Sequence, residues 1–322
     1  MAFSTRPLSP HLGVEVLGID LNQPLSDEAK QYIKDKWIQH GVLLFRNPDH
    51  TDEAHMRLSE LFGQMEPGAV KHINDPSNPY LMTLENNPDV NPESQGLRVP
   101  VVNGKPLVGW IGWHWDQSFM PEIVRGAVLR MIHPASEGGR TGFIDGIWAY
   151  DSLPEDLKQK IDGLEVVYLF NPDMASGQFG FPEDIRYATA MNDAQRELDT
   201  KFRAPFAEVV HPLVIIQRET GRKILKLSPL HARYVLGMDR AESDALLQRL
   251  AKHMCDEAHA YWHPWQKNDM VAWDNWRVIH AAGGVPPHVK RVGKRTTIAG
   301  DYKVGRYLDP NKTTQILEKI VD

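Results

Sequence analysis

The tripeptide His114-Trp115-Asp116, answered far downstream by the histidine that closes Trp273-Asp274-Asn275-Trp276-Arg277-Val278-Ile279-His280, constrains the fold more than any other feature of the chain. In a β-strand, residues i and i+2 face the same side, so His114 and Asp116 are expected to reach one point from a single strand. The flanking Trp110-Ile111-Gly112-Trp113 and Ser118-Phe119 have the aromatic and apolar character of strand and strand edge. Two imidazoles and one carboxylate can occupy a triangular face of an octahedral iron(II) and leave three positions open. His280 stands 164 residues beyond Asp116. A centre that ties such distant strands together fits a barrel-shaped β core.

His-x-Asp alone carries little weight, because the chain holds a second copy, His50-Thr51-Asp52. That copy precedes Glu53-Ala54-His55-Met56-Arg57-Leu58, an amphipathic helical pattern. Thr51 or Asp52 there reads as a helix N-cap, whose side-chain oxygen accepts an orphan backbone N–H.

At 322 residues, with 42% hydrophobic and 24% charged side chains, the chain has an ordinary globular composition and ample core. No Pro/Ser/Gly linker divides it, so one domain over 1–322 is expected. A net charge of −6 speaks against a general nucleic-acid binder. The single cysteine, Cys255, excludes a disulfide framework and fits a reducing cytosol. Met1-Ala2-Phe3-Ser4-Thr5-Arg6-Pro7 has no apolar signal core, and no apolar stretch approaches membrane-spanning length. A cytoplasmic protein without a membrane partner is the expectation.

Early elements follow from pattern and caps. Leu12 to Asp20 alternates like a strand, and Leu25 to His40 reads as a helix capped by Ser26. Gly41 to Arg46 and the segment around Tyr80 to Leu84 read as strands. From Glu85 to Gly109 the pattern dissolves into Asn, Pro, Gly and Val, and this irregular stretch before a candidate ligand is expected to be a lid. Arg125 to Ile132 is a strand and Pro134 to Gly142 a polar turn. Ser152-Leu153-Pro154-Glu155 reads as a capping box opening a helix. Residues 171–208, mixed and Pro-interrupted, read as an insertion between core strands. Val209 to Gln217, Lys223 to Leu227 and Asp269 to Ile279 are strand candidates, and Asp239 to Tyr261 is the longest helix, stopped before Pro264. The sum is an α+β chain with a jelly-roll core and helices packed outside.

These motifs together resemble the family of taurine and 2,4-dichlorophenoxyacetate dioxygenases, which depend on iron(II) and 2-oxoglutarate. The likeness rests on Trp113-His114-x-Asp116-x-Ser118-Phe119, on Gly138-Gly139-x-Thr141, on Trp273-Asp274-Asn275 running to His280, and on Arg291 and Arg295. It implies a cupin-like double-stranded β-helix with His114, Asp116 and His280 as ligands to Fe(2+). It implies co-substrates 2-oxoglutarate and O2, with ascorbate supportive in vitro. Thr141 and Arg291 are the implied partners of the distal carboxylate of 2-oxoglutarate. Arg295 is the implied grip on an acidic group of the primary substrate. Phe119 is a further candidate substrate contact, as are Lys71 and His72 after the Phe62-Gly63 helix end.

Chemistry supports the arginines, since a guanidinium offers a carboxylate a planar two-pronged donor that lysine lacks. Arg291, Gly293 and Arg295 would share one strand face. The competing reading makes Lys290, Arg291, Lys294 and Arg295 a solvated basic patch. The expected activity is hydroxylation of a C–H bond of a small organic anion, with cleavage of an adjacent C–heteroatom bond where the product is unstable. Dimers or tetramers are common in such families. Two other classes stay open: a zinc hydrolase using the same three ligands, and a non-catalytic jelly-roll sensor of small acids. His211, His231 and His263 read as surface or core residues rather than ligands.

Overall fold

A computed structural model of the protein describes residues 3–67, 74–75, 77–89, 99–187, 190–191 and 193–314. Lys71 and His72 lie outside the described residues. Two antiparallel-rich sheets carry the centre. The larger runs in the order Ser4–Pro7, Val14–Leu17, Val42–Phe45, Met270–Asp274, Gly126–His133, Arg291–Ile298, Asn78–Asn86, Asn74–Asp75, with Met65–Glu66 added beside Arg291–Ile298. The smaller runs Tyr261–His263, Thr141–Asp145, Val278–Val285, Val108–His114.

Alternation along the larger sheet sorts its residues into two cores. Leu43, Phe45, Val128, Met270 and Ala272 face outward and pack with Ile33 and Trp37 of helix α1 (Asp27–His40) and Leu58 of helix α2 (Asp52–Glu60). Val42, Leu44, Ala127, Leu129, Val271 and Trp273 face inward and meet Phe143 and Val278 of the smaller sheet. Strands buried on both faces read as unbroken apolar runs, which is why Val42-Leu43-Leu44-Phe45 was legible as a strand without a period. Truncating one such side chain, Leu44→Ala for instance, is expected to cost about 2–5 kcal/mol.

Behind the smaller sheet, Ile144, Ile279 and Ala281 pack with helices α3 (Gly146–Asp151), α4 (Glu155–Ile161) and α6 (Arg240–Met254). They also meet a sheet of Ala232–Val235, Glu165–Tyr168, Val209–Pro212 and Arg306–Tyr307. Among the described residues no helix is long and apolar enough to cross a membrane.

The caps follow the sequence in places and depart in others. Ser26 caps α1 by accepting from Ala29 N at 3.2 Å, and Thr51 caps α2 by accepting from Ala54 N at 3.2 Å. Gly41 ends α1 at φ 73°, where a Cβ would sit 3.0 Å from Val278 Cγ2, so glycine is required twice over. The expected capping box at Ser152 is absent. Ser152 Oγ instead donates back to Trp148 O at 2.8 Å and ends α3, a helix that starts behind Asp145, which accepts from Ile147 N. Pro154 precedes α4 with no side-chain cap.

The long C-terminal helix stops at Met254 rather than Tyr261, because Tyr261–His263 pairs with Thr141–Phe143. That strand partner lies more than a hundred residues upstream, so local pattern could not announce it. Thr141 belongs to the same pairing, so the polar turn ends before it. Asp269 to Ile279 is two strands joined through Asn275, not one.

The segment expected to be an irregular lid is largely paired where it is described. Asn103 (φ 49°) and Gly104 (φ 78°) make a two-residue turn between Pro100–Val102 and Lys105–Pro106. Ile185–Tyr187, from the 171–208 stretch, pairs with the other side of Pro100–Val102. The rest of that stretch contains a short 3-10 turn at Met174–Ser176 and helix α5 (Asp193–Arg203).

Candidate metal centre and anion sites

His280 and His114 are cross-strand partners on the inward side of the smaller sheet, with ring centroids 4.2 Å apart. Asp116 Oδ1 lies 3.9 Å from His114 Nε2 and 3.7 Å from His280 Nε2. One ligand atom from each of the three fits within a 4.8 Å triangle, so the sequence-predicted residues do converge. His114 Nδ1 donates to Gly112 O at 2.8 Å, which fixes the tautomer and leaves Nε2 as a lone-pair donor.

Burial lowers the His114 imidazole, and burial together with the neighbouring His114 lowers His280 well below its ordinary value. Burial thus favours the neutral form of both rings, the form that ligates a metal. Burial alone would raise the Asp116 carboxyl, but Arg295, through its charge and its hydrogen bond, holds Asp116 far below the usual carboxylate range. An N,N,O donor set on one triangle, two neutral imidazoles and a firmly ionised carboxylate suit a divalent transition metal.

The placement of Asp116 is not the simple strand alternation expected. The strand ends at His114, and Asp116 sits in a turn where Gln117 takes φ 57°. Asn275 makes the geometry instead. Its Oδ1 accepts from Asp116 N at 2.8 Å, while Nδ2 donates to Asp116 O at 3.2 Å and to Val124 O at 3.0 Å. Sequence reasoning saw Asn275 only as part of a motif, because its partners are backbone atoms far along the chain. Beneath it, the buried Lys226 ammonium donates to Asn275 O and lies 4.3 Å from the Trp115 ring centroid.

The facing strand, Arg291–Ile298 of the larger sheet, sends two arginines across the gap. Arg295 Nη2 donates to Asp116 Oδ2 at 2.5 Å, and its Nε is buried with no partner among the described residues. Arg291 Nε donates to Gly139 O at 3.2 Å. Among the described residues Arg291 has no acidic partner, and burial pushes it down to about 10. The solvated-patch reading survives only for its neighbours. Lys294 pairs with Asp52 and Asp75 on the other face, and Lys290 with Asp89. Thr141, buried at the start of its strand, accepts from Trp265 Nε1 at 3.1 Å.

Beside His114 stands an aromatic group of which the sequence singled out only Phe119. Phe119 lies 4.9 Å from Phe170, 5.1 Å from Phe206 and 5.1 Å from His231. His231 is 6.5 Å from His114, and its Nδ1 accepts from Asn171 N at 3.1 Å, so the ring carries its proton on Nε2. His211 and His263 are core residues as expected, and His50 donates from Nδ1 to Asn268 O, away from the triad.

A family profile described as taurine catabolism dioxygenase TauD, TfdA family, matches residues 4–297. The chain belongs to the TauD/TfdA family. Among TauD/TfdA relatives, an (S)-phenoxypropionate/alpha-ketoglutarate-dioxygenase of Sphingobium herbicidovorans is 31% identical over 303 residues, 93% of this chain and 96% of that one. An alpha-ketoglutarate-dependent 2,4-dichlorophenoxyacetate dioxygenase of Cupriavidus pinatubonensis is 28% identical and covers 94% of this chain and 99% of its own. A solved structure of AAD-2 with Mn(II) and N-oxalylglycine superposes with a TM-score of 0.70 at 27% identity, over 94% of this chain and 100% of that one. A taurine dioxygenase from Burkholderia xenovorans shares the fold, with a TM-score of 0.70 at 24% identity over 96% of this chain and 94% of that one. The mixed α/β architecture of this TauD/TfdA chain is thus that of its structural neighbours.

Proposed function

We infer that the chain is an iron(II)- and 2-oxoglutarate-dependent dioxygenase that hydroxylates a C–H bond of a small organic anion. Where the hydroxylated carbon bears oxygen, nitrogen or a sulfonate, the adjacent bond breaks in the same turnover. One observation carries the reading: a His114/Asp116/His280 triangle faces a strand that brings two guanidinium groups, four residues apart, to the same gap. In this reading the two facing sheets are the double-stranded β-helix of the family. Iron(II) held by the triad would supply dioxygen activation coupled to decarboxylation of 2-oxoglutarate to succinate and CO2.

The side chains divide the remaining work. Gly112 O, by holding the Nδ1 proton of His114, keeps Nε2 available to the metal. Arg295 and the Asn275 clamp keep Asp116 ionised and aimed. Arg291 and Thr141 take the far carboxylate of 2-oxoglutarate, a role that suits a buried cation without an acidic partner among the described residues. The unpartnered Nε of Arg295 and the Nε2–H of His231 remain as donors for an acidic group on the primary substrate. Phe119, Phe170 and Phe206 offer that substrate an apolar wall, which favours an anion with an apolar body.

Succinate release with iron(II), ascorbate and 2-oxoglutarate, in air and under argon, tests the reaction. Oxygen-dependent succinate that rises with one member of a panel of small anions supports it. Turnover under argon would indicate a hydrolase on the same triad, and ligand-induced stabilisation with no succinate would indicate a sensor.

A further inference from the structure

We propose that Trp265 is a positioning residue for the co-substrate: its indole N–H fixes the Thr141 hydroxyl as a donor toward the far carboxylate of 2-oxoglutarate. This rests on the assignment of Thr141 and Arg291 to that carboxylate. Trp265 Nε1 donates to Thr141 Oγ1 at 3.1 Å. A threonine hydroxyl has one proton and two lone pairs, and an indole can only donate. With one lone pair taken by the indole, the Thr141 proton points elsewhere, and no acceptor for it stands among the described residues. Two residues earlier, Gly139 O holds Arg291 by its Nε, leaving the terminal nitrogens for a ligand. The start of this strand therefore joins a guanidinium to a hydroxyl whose proton is left for a ligand, a pairing that favours an acceptor-only, anionic tail.

Trp265 is itself held in place. The Asp269 carboxylate accepts from Gln266 N at 2.9 Å, from His263 Nε2 at 3.1 Å and from Arg46 Nε at 3.1 Å, which closes the Pro264–Asp269 turn. The His263 ring, whose Nδ1 pairs with Tyr261 OH at 2.8 Å, packs edge-on against the indole with centroids 4.5 Å apart. The pairing of Tyr261–His263 with Thr141–Phe143 puts the turn beside Thr141. The indole also walls a surface cleft of about 210 Å³ with Ala135 to Arg140 and Pro264, so a smaller ring there has room to settle.

Trp265→Phe keeps an aromatic ring and removes the N–H. Calorimetry of 2-oxoglutarate binding to the Mn(II)-loaded protein without oxygen should show affinity roughly 3- to 10-fold weaker, the effect of one lost hydrogen bond of ordinary strength. In turnover, KM for 2-oxoglutarate should rise by the same factor while kcat and KM for the primary substrate hold. Trp265→His, which restores a ring N–H, should recover part of the loss. In a Thr141→Ala background, Trp265→Phe should have no further effect, because the group it acts through is gone. Equal losses in both backgrounds would mean that ring shape matters rather than the hydroxyl, and would overturn the proposal. So would unchanged affinity in Trp265→Phe when Thr141→Ala alone weakens binding. If Thr141→Ala itself binds 2-oxoglutarate normally, the assignment of Thr141 fails, and this inference falls with it.

Discussion

Arg291→Ala separates a ligand-binding arginine from a structural one by moving two observables in different directions. Burial has pushed Arg291 down to about 10 from an ordinary 12.5, with no acidic partner to offset it among the described residues. At about 1.4 kcal/mol per pH unit, this corresponds to roughly 3 kcal/mol set against the charged form in the free protein. Its hydrogen bond from Nε to Gly139 O at 3.2 Å recovers about 1 kcal/mol of that. A carboxylate that pairs with the guanidinium should therefore regain about 2–3 kcal/mol. Removing the arginine should weaken 2-oxoglutarate roughly 30- to 150-fold. Removing an unpaired buried cation should also leave the melting temperature unchanged or raise it. Calorimetric titration of Mn(II)-loaded protein gives the first quantity and a thermal melt of the ligand-free protein the second. A variant that melts much lower, or one that binds 2-oxoglutarate as the wild type does, would refute the reasoning.

Four further outcomes follow from the same structure. His280→Ala should abolish both metal binding, read by a fluorescence or calorimetric titration, and succinate formation. His50→Ala should lose only its bond to Asn268 O, about 1 kcal/mol of stability, and keep catalysis. Arg295→Ala removes the nearest charge that holds Asp116 ionised, so metal binding should fail at a higher pH than in the wild type as acidity increases, and the primary substrate should weaken more than 2-oxoglutarate. For Lys226, burial lowers the ammonium from 10.5 to about 7, whereas the unfolded chain keeps its proton to about 10.5. Between those values the unfolded state binds more protons, so stability should rise with pH. Lys226→Met should melt higher than the wild type at pH 7, and the gap should narrow by pH 10. A constant gap across that range would show the lysine is not destabilised by burial.

Much of the centre was legible because its chemistry is carried by residue types that have few alternative explanations together. His114, Asp116 and His280 were identifiable from type and order alone, and the Thr51 cap explained why the other His-x-Asp is not a ligand. What stayed hidden depends on partners far along the chain. Asn275 works by gripping the main chain of Asp116, and Trp265 by donating across more than a hundred residues to Thr141. Neither leaves a periodic or compositional trace. His231 was passed over because a lone histidine near a turn is usually core, and only its position between His114 and Phe119 distinguishes it. The Asn103-Gly104 turn was different, since Asn-Gly after Val101-Val102 is a hairpin signal present in the sequence, and the surrounding Pro and Gly masked it.

Pairing of Pro100–Val102 with Ile185–Tyr187 has a practical consequence for anyone who would transplant this region. More than eighty residues apart in sequence, the two segments are held together by a strand pairing. A chimera that imports only the first would expose a row of unmatched amides and carbonyls along its outer edge, an open template for aggregation. A chimera that imports only the second would leave its strand without a docking rail. Residues 99–107 and 171–191 should be exchanged together or left alone, because a library that randomises the two independently breaks the strand pairing that joins them.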